Sequence, residues 1–181
     1  IVYNDGGPAD ATPIICVHGL TGNGHDFDYL AQALIEKGYR LIAIDMPGRG
    51  RSEFLPEPLD YNYNQYCQDL IALLAHLGIN EPASVDWIGV SLGGLLGIRL
   101  AGLPNSPIRR MIINDIGPIV PQAALEFIHK VISQPYQFDT VHDLEKRMRE
   151  TRGLTYGPLN DEQWRHMAEH NARALDDGQI T

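Results

Sequence analysis

Apolar residues fall along this chain in two kinds of pattern. Ile14-Ile15-Cys16-Val17 is a continuous run, the pattern of a strand buried on both faces. A Gly-rich loop over 19–24 follows. Phe27, Leu30, Ala31, Leu34 and Ile35 then recur at i, i+3, i+4, i+7 and i+8. That spacing lines one face of a helix, which Gly38 stops. Residues 40–44 predict the next strand. A second helix is expected over 63–77, with Leu70, Ile71, Leu74 and Leu77 on one face and Gly78 at its end. A third buried strand, 84–89, runs almost directly into a helix over 92–103, and 109–114 supplies a fourth core strand. Ile1-Val2-Tyr3 reads as the tail of a further strand.

Strand–helix alternation with short loops predicts an α/β fold, a mostly parallel twisted sheet with helices on both faces. The pattern changes after Pro118. Helices are predicted at 122–133, 141–152 and 161–175, with no strand between them. Thr140 and Asp143 stand at capping-box spacing before the second, and Asn160 and Gln163 before the third. The expected organisation is a sheet domain over 1–118 and an all-helical unit over 119–181.

Gly89-Val90-Ser91-Leu92-Gly93 matches G-x-S-x-G, the nucleophile elbow. Serine sits there on a tight turn between strand and helix, glycines let the backbones pass closely, and the helix aims its N-terminal N–H groups at the reacting centre. A second signal, His18-Gly19-Leu20-Thr21-Gly22, follows the first buried strand. An oxyanion hole takes one N–H from the residue after the nucleophile, here Leu92, and another from the loop after an earlier strand, where Leu20 is the candidate. His18 itself reads as a packed residue that orients this loop.

The segments HGLTGN (18–23), DMPGRGRS (45–52), GVSLGG (89–94) and NDIGP (114–118) together resemble the α/β-hydrolase family, in its esterase and haloperoxidase-like branch. The resemblance covers about 1–118. It implies that the helical stretch beyond is a cap, or lid, that shapes the substrate pocket. Residues 45–52 match a family loop and read as turn-formers rather than catalysts. The resemblance further implies a serine nucleophile, an acid after a later strand and a histidine base near the end of the sheet domain.

Asp115 is the one acid at a strand end in the right part of the chain, and it is either the triad acid or a residue that holds its loop. His129, His142, His166 and His170 all fall on predicted cap helices, where no triad base is expected. The chain starts at Ile1 without a Met and stops at Thr181 after a helical segment, so both ends read as cut. The base is expected beyond Thr181. His166-Met167-Ala168-Glu169-His170 fits H-x-x-E-H, a zinc pattern, but the same spacing arises on the polar side of any amphipathic helix. No metal is expected.

The leading reading is a serine hydrolase of carboxylic esters or related small acyl compounds, needing no cofactor. Acyl transfer, C–C cleavage beside a carbonyl and peracid formation use the same apparatus. The alternative is a hydrolase-fold binding protein or fragment with an idle Ser91. Composition removes other classes. With 14 Lys+Arg against 23 Asp+Glu, a net charge of −9 argues against a nucleic-acid partner. No apolar run approaches the ~18 residues of a membrane helix, so no span is expected and the cytoplasm is the expected setting. Cys16 and Cys67 read as packed thiols. A sheet edge left uncovered in the chain would favour a homodimer.

Overall fold

The structure is a computed structural model that describes residues 1–134, 136–154, 156–175 and 178–181. The sheet contains β1 (Val2–Gly6), β2 (Pro13–Val17), β3 (Arg40–Asp45), β4 (Val85–Val90) and β5 (Ile108–Asn114). Their order is β1-β3-β2-β4-β5. β1 runs antiparallel to β3 and the remaining neighbours are parallel.

Alternation along the inner strands sorts their side chains onto two faces. Ile15, Val17, Ile42, Ile44, Val85 and Trp87 share one buried cluster with α2 (Tyr63–His76) and α3 (Leu92–Ala101). Ile14, Cys16, Leu41 and Ala43 share the other with Phe27 and with Ala31, Leu34 and Ile35, mostly from α1 (Asp28–Ile35). Both faces of β2 are therefore covered, which is why its sequence is continuously apolar. Cys16 is a free thiol in this core, and burial pushes its pKa up to about 12. At the β4–β5 seam, Arg110 and Arg109 both fork onto Asp86. Their hydrogen bonds, Arg110's first, hold its carboxyl down to about 2.

The chain divides into two compact units, Ile1–Ile119 and Val120–Thr181. The second contains α4 (Gln122–Ile132), α5 (Val141–Arg152) and α6 (Asp161–Asn171). Leu144, Met148, Trp164 and Ala168 form its buried cluster, all from α5 and α6. Asn160 and Gln163 cap α6 reciprocally. Before α5, the Asp143 carboxylate takes the Thr140 hydroxyl rather than its N–H, so only the Thr140 side chain caps the helix.

Three expectations change. β1 is a five-residue strand reaching Gly6, not a tail ending at Tyr3, because pairing with β3 and the Asp5–Arg40 ion pair hold its polar half. α6 stops at Asn171, where Ala172 turns extended. The second unit is also not purely helical, since Phe138 and Ala174 each bridge to Ile180. Phe138 and Ile180 exchange both backbone hydrogen bonds at 2.9 Å, an arrangement with no local sequence pattern.

Candidate active site

Strand order determines where two loops meet. From β2 the chain moves to β3 on one side, then crosses back to β4 on the other. The connection after β2 leads to α1 on one face, and β4 leads into α3 on the opposite face. The carboxyl ends of β2 and β4 are therefore the point where the strand order switches direction, the place where open α/β sheets bind ligands. Val17 pairs with Gly89, so the residues two positions on, Gly19 and Ser91, come out side by side. A Cβ added to Gly19 would lie 3.6 Å from the Ser91 Cβ.

Ser91 is the N-cap of α3, with φ +48° and ψ −108°. A side chain costs on the order of 1–3 kcal/mol in such a conformation, and it is kept here because the surroundings over-determine it. A Cβ on Gly89 would stand 2.4 Å from the Gly93 carbonyl oxygen, and one on Gly93 would stand 2.1 Å from that of Val17. The Trp87 indole also donates to the Gly93 carbonyl at 3.0 Å. Ser91 N–H donates to the Asn114 carbonyl at 2.9 Å, tying the turn to the end of β5. Strand, turn and helix thus pass at distances that only glycine allows.

Leu92 is the first residue of α3, so its N–H belongs to the first turn, which has no intrahelical acceptor. Leu20 follows Gly19 in the β2 loop and is 37% exposed. Asp115 follows β5 and is exposed, with φ +58°, a left-handed conformation that Asp tolerates better than most residues. Register sets it next to Ser91, because Val90 pairs with Asn114. Ser91, Leu20, Leu92 and Asp115 therefore share one end of the sheet.

His18 is fully buried and bonded at both ring nitrogens. Met46 N–H donates to Nε2 at 3.0 Å, so the proton sits on Nδ1 and goes to the Gly19 carbonyl at 2.6 Å. Burial is the main cause that lowers its pKa to about 4. The ring is neutral and has no nitrogen left for Ser91. Asp45 is equally buried; it accepts from Gly24 N–H at 2.7 Å and from Arg51 N–H and Nε–H at 3.1 and 3.0 Å. It ties together the Gly-rich loop and 46–52, which is the structural part expected of that segment.

The other histidines of this unit are His25, bonded to Asp28, and His76, at the end of α2. His129 lies on α4, His142 on α5, and His166 and His170 on α6. His170 Nδ1 is bonded to the His166 carbonyl at 2.8 Å. Among the described residues, neither His166 nor Glu169 joins a cluster of three metal-capable side chains. The sequence did not single out Arg49, which donates through Nε to the Leu20 carbonyl at 3.2 Å. Its only prior sign was its position in the 45–52 loop.

The fold and this arrangement define a class. The chain belongs to the alpha/beta hydrolase fold family, whose model matches residues 12–150. It is 40% identical over 162 residues to a 3-hydroxybutyrate-oligomer hydrolase of Cupriavidus necator, covering 90% of this chain and 54% of that protein. To a non-heme chloroperoxidase of Burkholderia pyrrocinia it is 37% identical over 126 residues, 70% of this chain and 44% of that one. The crystal structure of an alpha/beta hydrolase from Novosphingobium aromaticivorans superposes with a TM-score of 0.85 at 34% identity, over 98% of this chain and 61% of that one. The chain thus spans about half the length of these two sequence relatives. No described helix is long and apolar enough to cross a membrane.

Proposed function

We propose that this protein is a serine hydrolase that cleaves carboxylic esters through an acyl-enzyme on Ser91. One observation carries the reading: a serine held at φ +48° between β4 and α3, with Gly19 of the neighbouring loop against it. In this reading the Ser91 hydroxyl attacks the ester carbonyl, and the N–H groups of Leu20 and Leu92 receive the oxyanion. A histidine base accepts the serine proton and returns it to the departing alcohol. His18 is unsuited to that task, since both its nitrogens are engaged. Asp115 is the acid that the adjoining strand end offers. Water then releases the acid, and no cofactor or metal enters any step. We assign the second unit the role of a substrate-selecting cap.

The substrate class follows from the relative at 40% identity, which is named for 3-hydroxybutyrate oligomers. We extend it here as short hydroxyacid oligoesters, whose repeated ester bonds suit this chemistry. The serine also argues against the fold's dehalogenase and epoxide-hydrolase chemistry, in which a carboxylate attacks.

The test is intact mass before and after a fluorophosphonate, together with hydrolysis of a 3-hydroxybutyrate dimer. The expected result is one adduct, mapped to Ser91, and a loss of both adduct and turnover in Ser91→Ala. By comparison with other serine hydrolases the rate should fall by about 10³-fold or more. No adduct and no turnover would leave a binding protein with an idle serine, whereas full turnover in Ser91→Ala would place the nucleophile elsewhere and overturn the reading.

A further inference from the structure

The peptide that would carry the Leu20 donor is held on both sides. A trans peptide is planar, with its carbonyl and N–H pointing in opposite directions. The Gly19 carbonyl is drawn onto the buried His18 ring at 2.6 Å, so the Leu20 N–H of the same peptide is turned away from that ring. Gly22 N–H adds a second bond to the same carbonyl at 3.3 Å. The next peptide is held by Arg49, whose Nε–H reaches the Leu20 carbonyl.

Arg49 is itself braced. Its Nη1 donates to the Pro47 carbonyl and to the Tyr66 hydroxyl, both at 2.8 Å. Its guanidinium carbon lies 5.7 Å from the ring centre of Tyr61 and 5.4 Å from that of Tyr66. Tyr66 is buried on α2 within the main apolar cluster. A guanidinium spreads its donors over a rigid plane and so reaches a hydroxyl and two carbonyls that lie apart, whereas the three donors of an ammonium converge on one atom. Arg49 therefore runs as a strut from the α2 core to the loop beside Ser91.

We propose that Arg49 is a positioning residue for the oxyanion hole. With His18 holding the peptide before Leu20 and Arg49 the peptide after it, both backbone torsions of Leu20 are restrained, and its N–H is aimed before substrate arrives. Such a donor does not have to reorganise during the reaction, which is what makes it effective. This inference rests on the serine-hydrolase reading above.

The test uses the full-length protein as wild type, Arg49→Met and Arg49→Lys, with active sites counted by fluorophosphonate titration. We expect Arg49→Met to lower kcat per titrated site by about 10- to 100-fold, less than the ~10²- to 10³-fold of a deleted donor, with KM within twofold. The Leu20 amide should shift in the ¹⁵N spectrum, and Arg49→Lys should recover only part of the rate. Tyr66→Phe, which removes one brace and keeps the ring, should cost a smaller factor and guards against a Met variant that fails to fold. A variant with fewer titratable sites but wild-type kcat per site would make Arg49 merely structural and overturn the proposal. Failure of the wild type to label at Ser91 would instead overturn the hydrolase reading, and the positioning role with it.

Discussion

The two units are held together in different ways. In Ile1–Ile119 a sheet is packed on both faces, and the turn at Ser91 is enforced by backbone against backbone. In Val120–Thr181 the buried cluster comes from two helices, and polar pairs support it. Arg149 joins Glu145 on its own helix to Asp161 on α6, and its guanidinium lies over the Trp164 ring. α4 has no buried residue at all. Close backbone contacts cannot give way by a rotamer change, whereas side-chain packing at a surface can. One methyl group should therefore matter more near Ser91 than a whole aromatic ring on α4.

Gly93→Ala is the strongest challenge to that contrast. Its Cβ would sit 2.1 Å from the Val17 carbonyl oxygen and 2.6 Å from the carbonyl carbon. Val17 is fully buried on β2, which is paired on both sides, so it has no direction in which to retreat. We expect a loss of at least about 3 kcal/mol in denaturant unfolding, at the upper end of overpacking costs, together with loss of Ser91 labelling. A Gly93→Ala protein with a wild-type midpoint would show that the turn tolerates slack, and the contrast would fall.

Acid should act on the first unit through His18. Its folded pKa of about 4 lies below the ordinary 6.5, so the unfolded chain binds the proton first. Above pH 6.5 the ring is neutral in both states and its contribution is fully present. Between 6.5 and 4 stability falls by about 1.4 kcal/mol per pH unit, to a total of about 3 kcal/mol. Below 4 the folded ring protonates too, and its Nε2 can no longer accept from Met46. Trp87 lies in the first unit and Trp164 in the second, so Trp164→Phe leaves a reporter on the first unit alone. A flat midpoint from pH 6.5 to 5 would mean that the imidazole is not held neutral by its burial.

Much of the first unit could be read from pattern, because burial on two faces leaves a mark on composition. β2 was legible from four consecutive apolar residues, and α1 and α2 from their periodicity and the glycines that stop them. The turn at Ser91 was legible because its glycines stand at fixed offsets from the serine. The second half of β1 was not, since Asn4, Asp5 and Gly6 lie on an edge strand with little to bury. The Phe138–Ile180 bridge joins residues far apart in sequence with no repeat to announce them. Arg49 was hidden for a related reason. Its bond to the Leu20 carbonyl spans 29 residues, and a backbone acceptor carries no residue type to recognise.

The smallest expected effect belongs to α4, and it tests the other side of the contrast. Phe127 is 67% exposed, and Leu125 and Ile132 on the same helix are 55% and 47% exposed. A phenyl ring already in water has little burial to lose, and serine and phenylalanine have about the same helix propensity. Phe127→Ser should therefore change stability by no more than about 0.5 kcal/mol, with unchanged labelling of Ser91. The measurement is the unfolding midpoint beside the wild type under the same conditions. A loss above about 1 kcal/mol would mean that this ring is packed in solution, since surface substitutions do not cost that much. The second unit would then be as tightly determined as the first, and the contrast between backbone crowding and yielding side chains would have to be given up.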